Sequence, residues 1–226
     1  MSKPETINSS AEPLMAAVIP AYNEANSIYS VVEAAKQYVL TIVVDDGSDD
    51  ETAHLARQAG AIVVSHSNNR GYDAAIQTGL FKAIELGCTF ATTIDADGQH
   101  NPAVLEHFKT ALLEGADLVV GARDRHQRFS ESLFAVMGKL LWSIEDPLCG
   151  VKGYRLSHLK RLGHFDCYNS IGTEFAIRCA RSHLRIEMVP VLTNERFGIS
   201  RFGDGLKANF RILRALLIGL INAKSF

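Results

Sequence analysis

Between residues 14 and 120, short aliphatic runs alternate four times with stretches of helical periodicity. Strand-like runs fall at 14–19, 41–44, 61–65, 90–94 and 117–120, the first ended by Pro20. Helix-like stretches fall between them at 24–38, 51–59, 72–86 and 102–113. Such alternation predicts βαβ units, hence an α/β fold with a mainly parallel sheet and helices on both faces. Ligands of such sheets bind beyond the carboxyl ends of the strands. Polar residues should therefore gather just after each strand, and they do: Tyr22-Asn23-Glu24, Asp45-Asp46, Asp95-Ala96-Asp97 and Arg123. The second half is less regular. It reads as a helix over 130–143, a turn over 146–150, a strand over 152–155, a helix over 170–182 and a strand over 186–189. A loop rich in Arg and Gly (195–204) leads to a last helix over 206–221.

Asp95-Ala96-Asp97-Gly98-Gln99 carries the strongest chemical signal. Two carboxylates two apart at a strand end can face one side of the rim. With the Gln99 carbonyl they offer hard oxygen ligands, suited to Mg²⁺ or Mn²⁺. The competing reading is a plain Asp-Gly turn. In the run from Asp45 to Thr52, Ser48 or Asp49 reads as a helix N-cap with acids in the first turn. That leaves Asp45 and Asp46 at the strand end, where a carboxylate can accept from a uracil or guanine N–H. Gly71, after Asn68-Asn69-Arg70, permits close backbone approach at a helix N-terminus, a place for phosphate or simply a loop. Arg123, Arg125 and Arg128 surround the exit of the fifth strand. Arg196, Ser200 and Arg201 sit among glycines, where backbone and guanidinium could jointly hold a phosphate. Asp146 and Glu174 are candidate bases, with a turn and a helix surface as the plainer readings. His100 reads as a neighbour of the acidic site.

Composition removes several classes. The net charge of −2 over 226 residues argues against a general nucleic-acid binder. The four cysteines form no CxxC pair and no His spacing completes a zinc site, so they read as reduced and mostly packed. Serine-hydrolase, P-loop and dinucleotide fingerprints are absent. The longest apolar run, 215–221, is far short of the ~20 residues a spanning helix needs. Residues 1–13 are polar and read as a leader without a signal peptide, which places the chain in the cytoplasm.

The segments IPAYNE (19–24), VVDDGSDDET (43–52), NRGYDAAIQTG (69–79), DADGQHNP (95–102), GAR (121–123), DPLCGVKGYR (146–155) and RFGISR (196–201) occur in that order. Together they resemble family 2 glycosyltransferases of the GT-A fold, in the polyprenyl-phosphate branch typified by dolichol-phosphate mannosyltransferase. The resemblance implies one GT-A domain over 14–205. It implies nucleotide-sugar contacts from Pro20, Tyr22, Glu24, Val44, Asp46, Asp95 and Ala96, and a Mg²⁺ or Mn²⁺ site at Asp97 and Gln99 with Asp95 at or near the ion. Arg123, Arg196, Ser200 and Arg201 would meet the diphosphate or the acceptor phosphate, with Asp97 and Arg123 as the catalytic pair. The late loop departs from the family pattern Arg-x-Tyr-Gly-x-Ser-Lys: it is one residue shorter before Gly and has Arg for Lys.

The expected activity is inverting, metal-dependent transfer of a hexose from a UDP- or GDP-sugar to a polyprenyl phosphate. Transfer to a saccharide hydroxyl, with Asp146 or Glu174 as base, is the alternative; a nucleotide-sugar-binding subunit without turnover is a third. Residues 181–226 hold eight Lys/Arg against three Asp/Glu, which suggests a basic tail that meets phosphate or an anionic surface. On the last helix Leu206, Phe210, Leu213, Leu217, Leu220 and Ile221 form one apolar stripe, widened by Ile212, Leu216 and Ile218 and flanked by Lys207, Arg211 and Arg214. Two readings stand. It is a core helix, or an interfacial one that docks the chain on a membrane surface or a membrane partner protein.

Overall fold

β-Branched and small apolar residues predominate in most strands of the central sheet, and in the first strand their alternation assigns each face. The computed structural model describes residues 14–124, 128–193 and 205–221, with side chains of the last helix from 208 onward. In chain order the elements are β1 (Met15–Ala21), α1 (Ile28–Ala35), β2 (Leu40–Asp45), α2 (Thr52–Gln58), β3 (Ile62–Ser65), α3 (Tyr72–Glu85), β4 (Phe90–Thr93), α4 (Val104–Leu113), β5 (Leu118–Arg123), α5 (Phe129–Trp142), β6 (Lys152–Arg155), α6 (Leu156–Leu162), α7 (Glu174–Arg181), β7 (Ile186–Val191) and α8 (Gly205–Ile221).

The strands form one sheet in the order β3-β2-β1-β4-β6-β5-β7. All pair in parallel except β6, which runs antiparallel between β4 and β5. Met15, Ala17 and Ile19 of β1 pack into one core with residues of α1, α2 and α4. Ala16 and Val18 pack into the other with residues of α3, α5, α7 and α8. Side chains alternate across a strand, so this is the period-2 pattern of a sheet buried on both faces.

The alternation read from the sequence is present, with several differences. β1 passes through Pro20, which pairs with Val44 of β2. In a parallel strand a residue's N–H and C=O point to the same neighbour. Val18 O accepts from Ile94 N, so Pro20 also faces the β4 side, where the ladder has already ended at Val18↔Thr93. Its missing donor costs nothing there. Neither Ser48 nor Asp49 caps α2: the N-cap is Glu51, while Ser48 Oγ accepts the Asn23 N–H at 2.8 Å. The helix expected from 170 starts only at Glu174, because Ile171 (φ +60°) and Gly172 (φ +65°) are left-handed. Helix α6 was not expected; Arg155 turns straight from β6 into it.

α8 answers the two readings of the last helix in part. Ala208, Ile212, Ala215 and Leu216 are buried against the core, while Phe210, Leu213, Leu217, Leu220 and Ile221 point outward. Five of the six stripe residues thus face outward, the Leu206 side chain lying outside the described residues; of those that widened the stripe, Ile212 and Leu216 are packed and Ile218 is half-buried. Among the described residues no helix is long and apolar enough to cross a membrane.

Candidate active site

All strands but β6 point the same way, so the carboxyl ends of β1, β2, β4 and β5 share one rim. The strand order reverses at β1, between β2 and β4, which is where α/β sheets open a crevice. Tyr22 and Glu24 follow β1 there, and Asp95, Ala96, Asp97 and Gln99 follow β4. Because β6 is antiparallel, its amino end reaches the same rim and delivers the turn 146–150. Arg123 closes β5 beside it.

The loops after β1 and β2 are laced together. Asn23, in left-handed geometry (φ +54°), accepts the Asp49 N–H through its side chain. Thr52 Oγ1 accepts the Glu24 N–H at 2.7 Å. Asp45 Oδ1 accepts from Ser48 N at 3.2 Å. Asp46, expected to meet a base, is buried and engaged inside the protein. It accepts from Arg70 N (2.9 Å) and Gly71 N (2.8 Å) and pairs with His66 Nδ1 (2.6 Å), whose Nε2 lies 3.0 Å from Thr78 Oγ1. At the N-terminus of α3, which the sequence left open as a place for phosphate or a plain loop, the Arg70 and Gly71 N–H groups are met by the Asp46 carboxylate. Gly71 sits at φ +93°, a conformation that suits only glycine comfortably. Val44 is fully buried, its side chain beneath Gly79 of α3.

The acidic pair is split between two environments. Asp97 is buried, and its Oδ1 accepts the Gln99 N–H at 3.0 Å. Asp95 is half-buried at the rim and lightly held: Tyr72 Oη lies 3.5 Å from its Oδ1 and His100 Nε2 3.8 Å from its Oδ2. Burial, then the Asp95 charge, holds the Tyr72 phenol well above its ordinary value, so it stays a donor. His100 Nδ1 is buried with no hydrogen-bond partner. A carboxylate with only long contacts, beside a second carboxylate and an amide carbonyl, is a donor set that fits a hard divalent cation.

The turn 146–150 locks onto this rim at both ends. Asp146 is buried and forks to Arg123, accepting from Nε at 2.6 Å and Nη2 at 3.0 Å; Glu131 lies 3.6 Å from the same guanidinium. Burial alone would lower the Arg123 pKa, but the hydrogen bond and charge of Asp146 outweigh it and raise the guanidinium further. At the other end Gly150 lies against Asp95: a Cβ there would overlap both carboxylate oxygens. Thr93 Oγ1 donates to Gly150 O at 2.6 Å, and the buried Lys152 ammonium donates to Cys149 O at 2.6 Å. Cys149 is buried, which with the Asp146 charge pushes its thiol up to about 12, so it is no nucleophile. The sequence reading missed the Arg123–Asp146 fork and the Gly150 contact, although DPLCG had stood out as a turn.

Of the candidate bases, Asp146 is committed to Arg123. Glu174 is buried on α7, where Arg178 donates to its Oε1 from Nε (3.0 Å) and Nη2 (2.9 Å). Arg128 pairs with Glu131 at 2.8 Å. Arg125, Arg196, Ser200 and Arg201 lie outside the described residues, as does the Lys207 side chain.

The chain is similar to several known proteins. The chain is 29% identical to the UDP-N-acetylglucosamine–dolichyl-phosphate N-acetylglucosaminyltransferase of Methanococcus voltae, covering 92% of this chain and 96% of that one. It is 32% identical to the polyprenol monophosphomannose synthase of Mycolicibacterium smegmatis, over 88% of this chain and 83% of the relative. Among solved structures, the Mycobacterium tuberculosis glucosyl-3-phosphoglycerate synthase complex with Mn²⁺, UDP and phosphoglyceric acid superposes with a TM-score of 0.75. Its identity is 21%, and it covers 95% of this chain and 81% of that one. The fold is the GT-A fold that the motifs led us to expect. The sequence profile of glycosyl transferase family 2 matches residues 16–180, so the chain belongs to that family of glycosyltransferases.

Proposed function

We propose that this glycosyltransferase moves a hexose, with inversion, from a nucleoside diphosphate sugar to a polyprenyl phosphate. The observation that carries the reading is the joining, through turn 146–150, of the under-held Asp95 carboxylate to the forked Arg123. Asp95, as part of the cation site, and Arg123, as part of the diphosphate site, would thereby be fixed relative to each other. The curated names of the two relatives above support the acceptor class. Asp95, Asp97 and Gln99 would hold Mg²⁺ or Mn²⁺. When bound, the cation neutralises charge on the leaving diphosphate.

The protein's own groups do the rest. Arg123, oriented by Asp146, offers a fixed positive charge where the anion develops. Tyr72, its Oη 3.5 Å from Asp95 Oδ1, keeps a donor within reach of that carboxylate at the rim. Tyr22 and Glu24, at the switch point, form the nucleotide side of the crevice. A phosphate acceptor is already anionic at neutral pH, so the attacking oxygen needs no base. That agrees with Asp146 and Glu174 both being engaged by arginines, and it favours the phosphate over the hydroxyl acceptor.

The same reading supplies the membrane contact. Phe129, Val136, Leu140 and Leu141 of α5 and Phe210, Leu217 and Ile221 of α8 are exposed. The two helices pack on each other, and α8 borders an open groove of about 610 Å³ lined by Tyr168, Leu213, Leu217 and Ile221. This apolar face, with Arg211 and Arg214 beside it, suits an anionic bilayer in which a polyprenyl phosphate would lie.

The test is a thermal-shift panel of UDP- and GDP-sugars with and without Mn²⁺, followed by a transfer assay with polyprenyl phosphate. One donor should raise the melting temperature, and only with the metal. Transfer that is unchanged in Asp97→Ala would sink the reading.

A further inference from the structure

We propose that His164, Cys167 and Glu174 form a second metal site, one for a borderline-soft divalent cation of the zinc class, on the segment between α6 and α7. One imidazole nitrogen, one thiol sulfur and one carboxylate oxygen lie within 4.8 Å of one another. This mixed donor set differs in kind from the all-oxygen set at Asp95, Asp97 and Gln99, and it matches the three protein ligands plus an open position of many zinc centres.

Two details point inward to a cation. His164 Nε2 is shielded from solvent and has no hydrogen-bond partner, yet lies 3.7 Å from Glu174 Oε1. That is too long for a hydrogen bond. Glu174 is also held as an outer-shell partner would hold it. Arg178 donates twice to Oε1, and the Cys167 N–H fixes Oε2 at 2.6 Å, which leaves Oε2 a lone pair for a metal. Cys167 is the exposed member, so its thiol is free to swing the remaining ångström and gives the ion its entry path. Binding releases the thiol proton to solvent.

The place gives the site a role. The segment is tied to α3 by Phe165 N donating to Gln77 Oε1 (2.9 Å) and Ile171 N donating to Asp73 Oδ2 (3.1 Å). It is tied to α8 by Arg214 donating to Tyr168 O at 2.9 Å. A metal at its base clips together the stretch that links the helix carrying Tyr72 to the exposed apolar helix.

The test is titration of the full, reduced, metal-free chain with Co²⁺, read as the near-ultraviolet thiolate-to-cobalt absorption. Cobalt on the oxygen ligands of the rim gives no such band. The expected result is a band that saturates near one equivalent, survives a large excess of Mg²⁺, is displaced by Zn²⁺ and persists in Asp97→Ala. It should vanish in Cys167→Ser, with folding checked by circular dichroism, and His164→Gln should weaken Co²⁺ binding at least about tenfold. Absence of the band in the parent protein, or its persistence in Cys167→Ser, overturns the proposal.

Discussion

Arg123 and Asp146 meet as a two-pronged fork, Nε to Oδ2 at 2.6 Å and Nη2 to Oδ1 at 3.0 Å. The fork bridges the end of a parallel strand and the turn that feeds the antiparallel one. Twenty-three residues separate the partners in sequence, and they meet only because β6 enters the sheet next to β5. Arg123→Lys keeps the charge but cannot reproduce the planar fork. We expect kcat to fall about a hundredfold while donor affinity changes little, measured by initial rates against donor concentration. Asp146→Asn should lower unfolding stability by about 3 kcal/mol in denaturant titrations, because it leaves a mostly buried guanidinium poorly paired.

Gly150 tests the metal side of the same turn. Gly150→Ala drives a methyl into the Asp95 carboxylate, so that carboxylate must turn away from its place at the rim. The chain should fold with a near-native circular dichroism spectrum. The Mn²⁺-dependent shift in melting temperature produced by the donor sugar should be lost. Retention of the full shift would show that Asp95 is not part of the cation's surroundings.

Asp73 should make stability depend on pH. Burial, and then the Asp166 charge, raises its carboxyl to about 6 from an ordinary value near 4, while the N–H groups of Ile171 and Gly172 act the other way. The folded chain therefore holds this proton to higher pH than the unfolded chain does. Its contribution to stability is fullest below pH 4, falls as pH rises from 4 to 6, and is flat above. Asp73→Asn removes that slope and should stabilise the protein at pH 8 by about 2 kcal/mol. Melting curves of both proteins from pH 4 to 8 decide it. Parallel curves across the range would refute the prediction.

The parts legible in the sequence were those set by local pattern. Strand periodicity and the polar residues after each strand located the rim, because in a doubly covered sheet the carboxyl ends are where apolar runs must stop. Asp95-Ala96-Asp97 stood out for the same reason. Relationships set by non-local pairing were not legible. Nothing in the neighbourhood of Asp46 shows that the amides of Arg70 and Gly71, and the His66 ring, fold back onto it. The antiparallel sense of β6 follows from the order in which strands join the sheet, and so Asp146 read as a loose turn residue or a base. Pro20 looked like a strand terminator because the rule for proline depends on which neighbour its missing donor faces.

α8 offers adjacent residues with opposite duties, and they separate docking from folding. Leu216 is 6% exposed, while Leu217 is 57% exposed. Removing the whole helix would strip Ile212 and Leu216 from the core along with the outward stripe, so truncation alone cannot tell the roles apart. Point substitutions can. Leu216→Ala should lower stability by roughly 2–4 kcal/mol, a loss of transfer energy plus a cavity. Leu217→Glu and Phe210→Glu place charge on an already wet surface and should leave the melting temperature within about 2 °C. If the outward face docks on a bilayer, these two variants lose sedimentation with anionic liposomes at low salt. Arg211→Glu should weaken it as well, since each basic residue near such a surface contributes about 1 kcal/mol. Donor-sugar binding should be unchanged in all three, because none of them lies on the rim. Liposome binding that survives both glutamate substitutions would assign the outward face to something other than lipid, and a partner protein would then have to bring the acceptor to the site.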